Sequence, residues 1–355
     1  MKKRSLEFLY RLMAAISPSG YERDAVRVFR REAESFAADV RSDVHGNTDV
    51  VLNAGGAPRV MLAGHYDEIG FIVTLVDANG YLWVAPIGGW DPQIPQGQRV
   101  SIRTAAGIVP GVIGKMPVHL QKPDDRNRVT PLTDLWVDIG AKNKKEAEKR
   151  VSVGDPMVID QGVLELPNRR LAGRAFDDRA GAFVVLETAR MLADLAPRAE
   201  IHAVGTVQEE IGSRGAITSA FGIAPDVGIA VDVTFATDHP MMDAAEKREG
   251  KVALGGGPVL SRGANINPVL YEHLLRTAKK RKLPVQIVAD GRATPTDADP
   301  LQVTRAGVAA ALVSIPLRYM HTPGEIVDLD DLDRTVALLA HAVADMKPGQ
   351  KWIPF

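Results

Sequence analysis

Near the start of the chain, apolar side chains recur every three or four residues, as on one face of an α-helix. Two such series are present: Leu6, Leu9, Tyr10, Met13 and Ile16, and then Ala25, Phe29, Ala33 and Phe36. The segment Ser17-Pro18-Ser19-Gly20 lies between them and contains strong helix-breaking residues. The pattern therefore predicts two amphipathic helices that lie on the outside of a core.

Farther along, short and wholly apolar runs predict buried strands. They span residues 60–63, 201–207, 227–231, 285–288 and 311–315. Helical patterns lie between the later runs. One begins at Asn267-Pro268, an N-cap residue followed by proline, and a final helix uses Leu332, Val336 and Leu339. This alternation predicts an α/β fold with a central sheet.

The texture changes between Phe71 and about Leu166. Alternating apolar and polar residues flank Asn79-Gly80, a strong hairpin signal, and many short β-like pieces are separated by glycine and proline. We expect residues 71–166 to form an inserted β-rich domain. Residues 1–70 and 167–355 then make up the catalytic domain.

Composition and charge exclude several classes of protein. Of the 355 residues, 45% are hydrophobic and 25% charged, which is typical of a globular protein. The 43 basic residues nearly cancel the 44 acidic ones, so we expect no binding to nucleic acid or to an anionic membrane. No apolar run reaches the roughly 18 residues of a membrane span. Glu7 and Arg11 interrupt any signal peptide, so we expect a cytoplasmic location.

Charged side chains follow several of the apolar runs, at the point where each predicted strand ends. They are His65 and Asp67, Glu209 and Glu210, Asp232, and His321. In open α/β sheets ligands bind outside the carboxyl ends of the strands, so we expect these side chains to converge on one region. The chain has no cysteine, which leaves imidazole and carboxylate as the available ligands for a metal ion.

Two histidines and three carboxylates suit two divalent metal ions, with zinc or cobalt as the expected identities. One carboxylate shared by both ions would hold them about 3.5–4 Å apart. Asp177, in the segment Phe176-Asp177-Asp178-Arg179, is the preferred bridging candidate. Its neighbour Asp178 is an alternative, because adjacent positions cannot be separated on type alone.

Short motifs that cover nearly the whole chain carry a family resemblance. They are Pro18-Ser19-Gly20 with Glu22, Gly64-His65-Tyr66-Asp67-Glu68-Ile69-Gly70, Asp177-Asp178-Arg179, Gln208-Glu209-Glu210-Ile211-Gly212, Asp232-Val233-Thr234, and Arg318-Tyr319 followed by His321-Thr322. Together these segments resemble the TET, or tetrahedral, aminopeptidases, the family that includes glutamyl aminopeptidases with co-catalytic metals. The resemblance implies a zinc-exopeptidase-like fold with a mixed sheet, and release of N-terminal residues from short peptides.

The same resemblance implies a role for each site residue. Asp177 bridges two metal ions, His65 and Asp232 complete one site, and Glu210 and His321 complete the other. Glu209 is the general base, and Asp67 orients the His65 imidazole. The inserted domain is expected to mediate dimerisation, and the dimers to assemble into a hollow dodecamer.

The sequence departs from the family pattern at two places. Arg292-Ala293-Thr294-Pro295 stands where a glycine-rich stretch usually precedes the pair that here is Thr296-Asp297, so we expect a reshaped loop near the site. His45 stands where a larger apolar residue is common, and we expect it in a turn. Neither departure removes a proposed ligand.

Other interpretations of the same residues stay open. Taken singly, Glu209 and Glu210 fit a solvated pair at a helix start, and Asp177-Asp178 fits a helix cap. Taken together, the residues also fit a related amidohydrolase, either a deacylase or a carboxypeptidase. A glycosidase is disfavoured because its paired carboxylates act without a metal. A non-catalytic scaffold would typically have lost a ligand or the base, and the sequence keeps them all.

Overall fold

The computed structural model describes residues 1–354. The strands are β1 (Asp39–Ser42), β2 (Thr48–Leu52), β3 (Arg59–His65), β4 (Gly70–Val76), β5 (Leu82–Ile87), β6 (Arg99–Thr104), β7 (Gly107–Gly114), β8 (Trp136–Asp138), β9 (Pro156–Ile159), β10 (Leu164–Leu166), β11 (Arg170–Gly173), β12 (Glu200–Thr206), β13 (Val227–Phe235), β14 (Val259–Gly263), β15 (Gln286–Asp290), β16 (Ala309–Leu317) and β17 (Glu325–Asp328). The helices are α1 (Lys3–Met13), α2 (Arg23–Ala33), α3 (Lys144–Ala147), α4 (Phe176–Leu195), α5 (Arg214–Ile223), α6 (Asp243–Glu249), α7 (Pro268–Arg281), α8 (Ala298–Val303) and α9 (Leu329–Ala344).

An eight-stranded mixed sheet forms the centre of the molecule, in the order β1-β2-β12-β3-β13-β16-β14-β15. The four middle strands β12, β3, β13 and β16 run parallel, whereas β2 and β14 are antiparallel to their neighbours in that group. The α/β prediction is therefore confirmed. Because the middle strands are parallel, their carboxyl ends meet at one edge of the sheet, where α/β proteins bind their ligands.

Helix α4 packs across the middle strands, and its start is held close to β3. A Cβ atom at Gly64 would lie 2.7 Å from the backbone of Gly181 and Ala182, so only glycine allows this approach. Arg179 is fully buried and donates to Glu68 Oε1 at 2.6 Å and to the carbonyl of Ala15 at 2.9 Å. These contacts fix the first turn of α4 beside the end of β3.

The two N-terminal helices cover one side of this unit, as predicted. Phe8 of α1 stacks on Phe183 of α4 with ring centroids 5.7 Å apart. Helix α1 ends at Met13, before the predicted Ile16, and α2 ends at Ala33, before Phe36. The segment Ser17-Pro18-Ser19-Gly20 that follows cannot continue the helix, because the residue before a proline, here Ser17, is disfavoured in the α conformation.

Residues 70–159 contain a closed barrel of six strands, in the order β4-β5-β8-β7-β6-β9. It has its own apolar core, which includes Phe71, Leu82, Ile102 and Val137. Closure leaves no free strand edge within the barrel. Trp90 stacks on Phe71 at 4.7 Å and donates from Nε1 to the Gly70 carbonyl at 2.9 Å, so this tryptophan packs internally. A small sheet, β10-β11-β17, completes the fold.

Three further details of the sequence can be compared with the structure. Asn267 caps α7 by accepting from the backbone N–H groups of Val269 and Leu270, at 3.0 Å each, as expected from the Asn-Pro pair. Residues 142–150, which are rich in lysine and glutamate, form only the single helical turn α3 within the inserted region. None of the helices within residues 1–354 is long and apolar enough to cross a lipid bilayer.

Candidate metal centre

The predicted site residues lie at the carboxyl ends of the middle parallel strands. His65 is the last residue of β3, and Asp232 lies in the second half of β13. Glu209 and Glu210 follow β12 by a few residues, and His321 follows β16. The register of the parallel strands brings β3 and β12 together at His65 and Thr206, so the chain segments that leave them start side by side.

Two groups of three side chains each offer ligand atoms within 4.8 Å of one another: His65, Asp177 and Asp232, and then Asp177, Glu210 and His321. Asp177 belongs to both groups. Its Oδ1 lies 3.4 Å from His65 Nε2, and its Oδ2 lies 3.3 Å from His321 Nε2. His321 Nε2 is also 3.4 Å from Glu210 Oε2. The two groups therefore form one cluster with Asp177 in the middle.

The neighbouring acid Asp178 turns the other way. Its Oδ1 accepts from the Gly181 N–H at 2.9 Å, and its Oδ2 accepts from the His65 N–H at 3.3 Å. It is completely buried, and burial, followed by the charge of Asp232, raises its pKa well above the usual range. Asp178 thus binds backbone donors at the start of α4, while Asp177 faces the histidines.

Asp67 supports the cluster from behind and touches it through several hydrogen bonds. Its carboxylate accepts from the backbone N–H groups of Glu209 at 3.1 Å and Glu210 at 3.2 Å, and from Ser19 Oγ at 2.6 Å. Asp67 Oδ1 also lies 3.4 Å from His65 Nδ1. Burial opposes ionisation of Asp67, but the contacts with His65 and these donors outweigh it and lower its pKa. Asp67 is therefore held as a carboxylate.

The backbone around the barrel fixes the orientation of His321. Its Nδ1 lies 2.7 Å from the carbonyl oxygen of Gly89, in the loop after β5. A carbonyl oxygen only accepts, so Nδ1 carries a proton, and the neutral ring has its lone pair on Nε2, the nitrogen that faces Asp177 and Glu210. This is the tautomer that a metal-binding histidine requires. A residue of the barrel region thus takes part in shaping the site.

Glu209 lies beside the cluster and belongs to neither ligand group. Its Oε2 is 3.7 Å from His65 Nε2, and its Oε1 accepts from Ser213 Oγ at 3.2 Å. Burial, partly offset by His65 and reinforced by Asp232, Asp297 and Glu210, raises the pKa of Glu209 to about 9. A carboxylate in such a setting binds a proton readily, which is what a group that shuttles protons needs.

The sequence prediction missed two buried acids at the site. Glu325 accepts from the N–H of Asp177 at 3.1 Å and from the N–H of His321 at 2.9 Å, and so joins the start of α4 to the loop that carries His321. Asp297 accepts from Thr206 Oγ1 at 2.6 Å. Glu325 lies four residues after His321, and Asp297 belongs to the Thr-Asp pair already noted, so both lay close to quoted motifs. The hydrogen-bond partners Asp177 and Thr206 are distant in the sequence from Glu325 and Asp297, so the sequence pattern did not indicate the roles of these two acids.

The concentration of acids indicates a site built for cations. Burial is the first cause that raises the pKa of Glu210 and of Asp232, and the charge of Asp177 adds to it in both. Burial disfavours a charged His321, but its contacts with Asp177 and Glu210 prevail and raise its pKa to about 11. Glu210 Oε1 is buried without a hydrogen-bond partner. Imidazole and carboxylate donors in this arrangement fit two divalent metal ions that share one carboxylate.

Both departures from the family pattern lie close to the site. Pro295 lines the cavity in front of the cluster, between Thr294 and Thr296, which also line it. His45 is in a turn, as expected, and its Nε2 lies 3.3 Å from Gln208 Oε1, next to Glu209. Neither residue displaces a ligand.

Comparison with known proteins gives similarities over nearly the whole chain. A family model described as M42 glutamyl aminopeptidase matches residues 46–338. The lysyl aminopeptidase of Pyrococcus furiosus is 37% identical over 347 residues, which cover 96% of this chain and 97% of that protein.

Solved structures show the same similarity. A TET aminopeptidase from the marine sediment archaeon Thaumarchaeota archaeon SCGC AB-539-E09 has a TM-score of 0.91 and 34% identity, covering 97% of this chain and 98% of that one. The TET1 peptidase of Pyrococcus horikoshii has a TM-score of 0.85 and 31% identity, covering 96% of this chain and 100% of that one. That peptidase can assemble into a tetrahedron or a large octahedral shell.

Proposed function

The chain belongs to the M42 glutamyl aminopeptidase family, and from this we propose that the cluster around Asp177 is its active site. As a member it is a metal-dependent aminopeptidase, a hydrolase that releases N-terminal residues from peptides. The observation that supports our assignment is the position of Asp177, whose two oxygens face His65 and His321 separately at 3.4 and 3.3 Å.

We assign two divalent metal ions to this cluster. His65 and Asp232 would hold one, Glu210 and His321 the other, and Asp177 both. Zinc and cobalt are the proposed identities, because the donors are nitrogen and oxygen with no sulfur. When bound, such ions polarise the scissile carbonyl and lower the pKa of water.

The remaining chemistry comes from side chains of the chain itself. Glu209 takes a proton from the attacking water while the water oxygen forms the new bond to the peptide carbonyl carbon. Glu209 then gives that proton to the amine nitrogen as the C–N bond breaks. Asp67 acts as a positioning residue: it holds the His65 ring through Nδ1 and the loop of Glu209 through the backbone.

We expect the purified protein, supplied with zinc or cobalt, to hydrolyse aminoacyl anilides and not to hydrolyse the same compounds when they are N-acetylated. A chelator should abolish the activity, and added metal should restore it. The physical reason is that an aminopeptidase recognises a free amine, which acetylation removes. The measurement is the rate of aniline release across both sets of substrates.

The acetylated set also separates the rival function. A deacylase that uses the same metal centre would release acetate from the acetylated compounds and leave the anilide bond intact, so acetate release is measured beside aniline release. Equal or faster cleavage of the acetylated compounds at either bond would overturn the aminopeptidase assignment for this site. Activity that survives complete removal of metal would instead overturn the metal assignment.

We further propose that residues 71–166 form a dimerisation domain inserted into a catalytic domain of residues 1–70 and 167–355. Several large apolar side chains of the barrel region are exposed, as interface residues are in an isolated subunit. They include Met116, Val118, Leu120 and Val129, which are 55%, 48%, 75% and 48% exposed. Dimers would then build a dodecamer, the closed symmetric assembly that we favour.

Sedimentation of the full chain tests this assembly. We expect the mass of a dodecamer for the wild type, and the mass of smaller species for a variant that carries Leu120→Asp and Val129→Asp. A monomeric wild type at micromolar concentration would contradict the proposal. If the double variant still formed the full assembly, the dimer interface would not include Leu120 and Val129.

A further inference from the structure

The metal centre opens into a cavity of about 690 Å³. One end is lined by the acids of the centre, including Asp177 and Glu210. Because these proposed metal ligands line it, the cavity leads to the metal centre, where Glu210 is almost wholly buried and its Oε1 has no hydrogen-bond partner. Two further acids line the same cavity and take no part in the mechanism. They are Glu249 and Asp290.

These two acids come from elements on the outer side of the central sheet. Asp290 is the last residue of β15, the edge strand, and Glu249 is the last residue of α6. Asp232 lies on β13, and its partner in the register is Ser314 on β16. Strands β16 and β14 separate β13 from β15, so at about 4.8 Å per strand the two ends of the cavity are roughly 14 Å apart across the sheet.

The wall between the two ends is uncharged. It contains Val233, Ser261, Val288, Leu312 and Ser314, and within residues 1–354 no lysine or arginine lines the cavity. Glu249 has an ion pair with Arg248, but that arginine side chain is 78% exposed, so water screens the pair. The cavity therefore offers a largely neutral passage with negative charge at its far end.

The carboxylates of Asp290 and Glu249 lie close enough for their charges to interact. Burial, assisted by the charge of Glu249, raises the pKa of Asp290, although the Ser261 hydroxyl acts in the opposite direction. The charged neighbour responsible is Glu249 and not an acid of the metal centre, which places the two outer acids apart from the ligands. A positive group between the two carboxylates would relieve their repulsion.

We propose that this end of the cavity is a specificity pocket for a basic side chain, so that the enzyme prefers peptides with an N-terminal lysine or arginine. The inference rests on the proposed aminopeptidase function. A lysine side chain has an apolar four-carbon stem and a terminal ammonium, which match the neutral wall and the two carboxylates in that order. An N-terminal glutamate meets like charge at the same place and is disfavoured. Glu249 and Asp290 are then specificity-determining residues.

The test compares kcat/KM for lysyl, arginyl, norleucyl and glutamyl anilides with the metal-loaded, full-length enzyme. Norleucine has the same four-carbon stem as lysine but lacks the terminal ammonium group and its charge. We expect lysyl to exceed norleucyl by about tenfold or more, the size of one charge-assisted hydrogen bond. Asp290→Asn and Glu249→Gln should each reduce this ratio, and the double variant should bring it close to one.

Glu246→Gln is the matched control, because Glu246 lies one turn earlier on α6 and does not line the cavity. It should leave the lysyl to norleucyl ratio unchanged. Thermal unfolding of every variant checks that the fold is retained. A wild type that cleaves norleucyl as well as lysyl, or a double variant with an unchanged ratio, would overturn the specificity pocket while leaving the aminopeptidase intact. Failure to cleave any of the anilides would overturn the proposed function and this inference with it.

Discussion

Glu209→Gln lowers the turnover number by at least about a hundredfold, the low end of what a general base contributes, and leaves metal content unchanged. Glutamine keeps the size of the side chain and can still accept from Ser213 Oγ, which lies 3.2 Å from Glu209 Oε1. It cannot take a proton from water at neutral pH. Kinetics with aminoacyl anilides measure the fall in turnover number, and inductively coupled plasma mass spectrometry measures the metal bound per subunit.

Glu210→Gln provides the contrast for this prediction. Glu210 lies in the second ligand group, 3.4 Å from His321 Nε2, so its replacement should lower metal content as well as turnover. If Glu209→Gln turned over substrate at the wild-type rate, another group would be the base. If it lost metal like Glu210→Gln, Glu209 would be a ligand.

Asp177→Asn is expected to have the larger effect, with both metal ions lost and turnover reduced by at least about a thousandfold. Asp177 is the one side chain common to both ligand groups found within residues 1–354. Amide oxygen is a weaker, uncharged ligand, and His65 and His321 would lose the carboxylate that now lies between them. Metal ions supply several kcal/mol of transition-state stabilisation, and each 1.36 kcal/mol is about tenfold in rate.

Asp178→Asn is the matched control, since it makes the same change one residue along. Asp178 accepts from the Gly181 N–H at 2.9 Å and from the His65 N–H at 3.3 Å through different oxygens, and burial raises its pKa, which favours the uncharged form. Asparagine keeps one accepting oxygen for the Gly181 N–H and loses the longer contact with His65, so we expect a lower unfolding temperature but a metal content near that of the wild type. The assignment of the bridge would be wrong if Asp178→Asn emptied the site and Asp177→Asn did not.

Much of the fold was predictable because burial leaves a clear trace in the chain. The runs at residues 60–63, 201–207 and 311–315 became β3, β12 and β16, each shifted or extended by a few residues. A strand buried on both faces must be apolar throughout, and this makes it visible in the sequence. The edge strand β1 and the strand β14, which lies next to the other edge, are shorter and mixed in character, and they were not predicted.

The barrel shows where local pattern stops. Glycine and proline spacing indicated many short strands in residues 71–166, and six of them do form a sheet. That this sheet closes, with β9 pairing both β4 and β6, depends on contacts between residues as far apart in the chain as Phe71 and Met157. Single-strand periodicity carries no information on such pairing, since it reports only which face of each strand is buried.

For the site, the sequence determined the kinds of ligand and the strand ends where they lie. Without cysteine, histidine and carboxylate were the only candidates, and the parallel middle strands forced their ends together. The tertiary structure decided which acid does what. Asp177 faces the histidines and Asp178 the backbone, Glu325 joins the start of α4 to the loop of His321, and Asp290 reaches the cavity from an edge strand. Those roles depend on the direction of side chains and on neighbours far away in the chain, which only the packed molecule fixes.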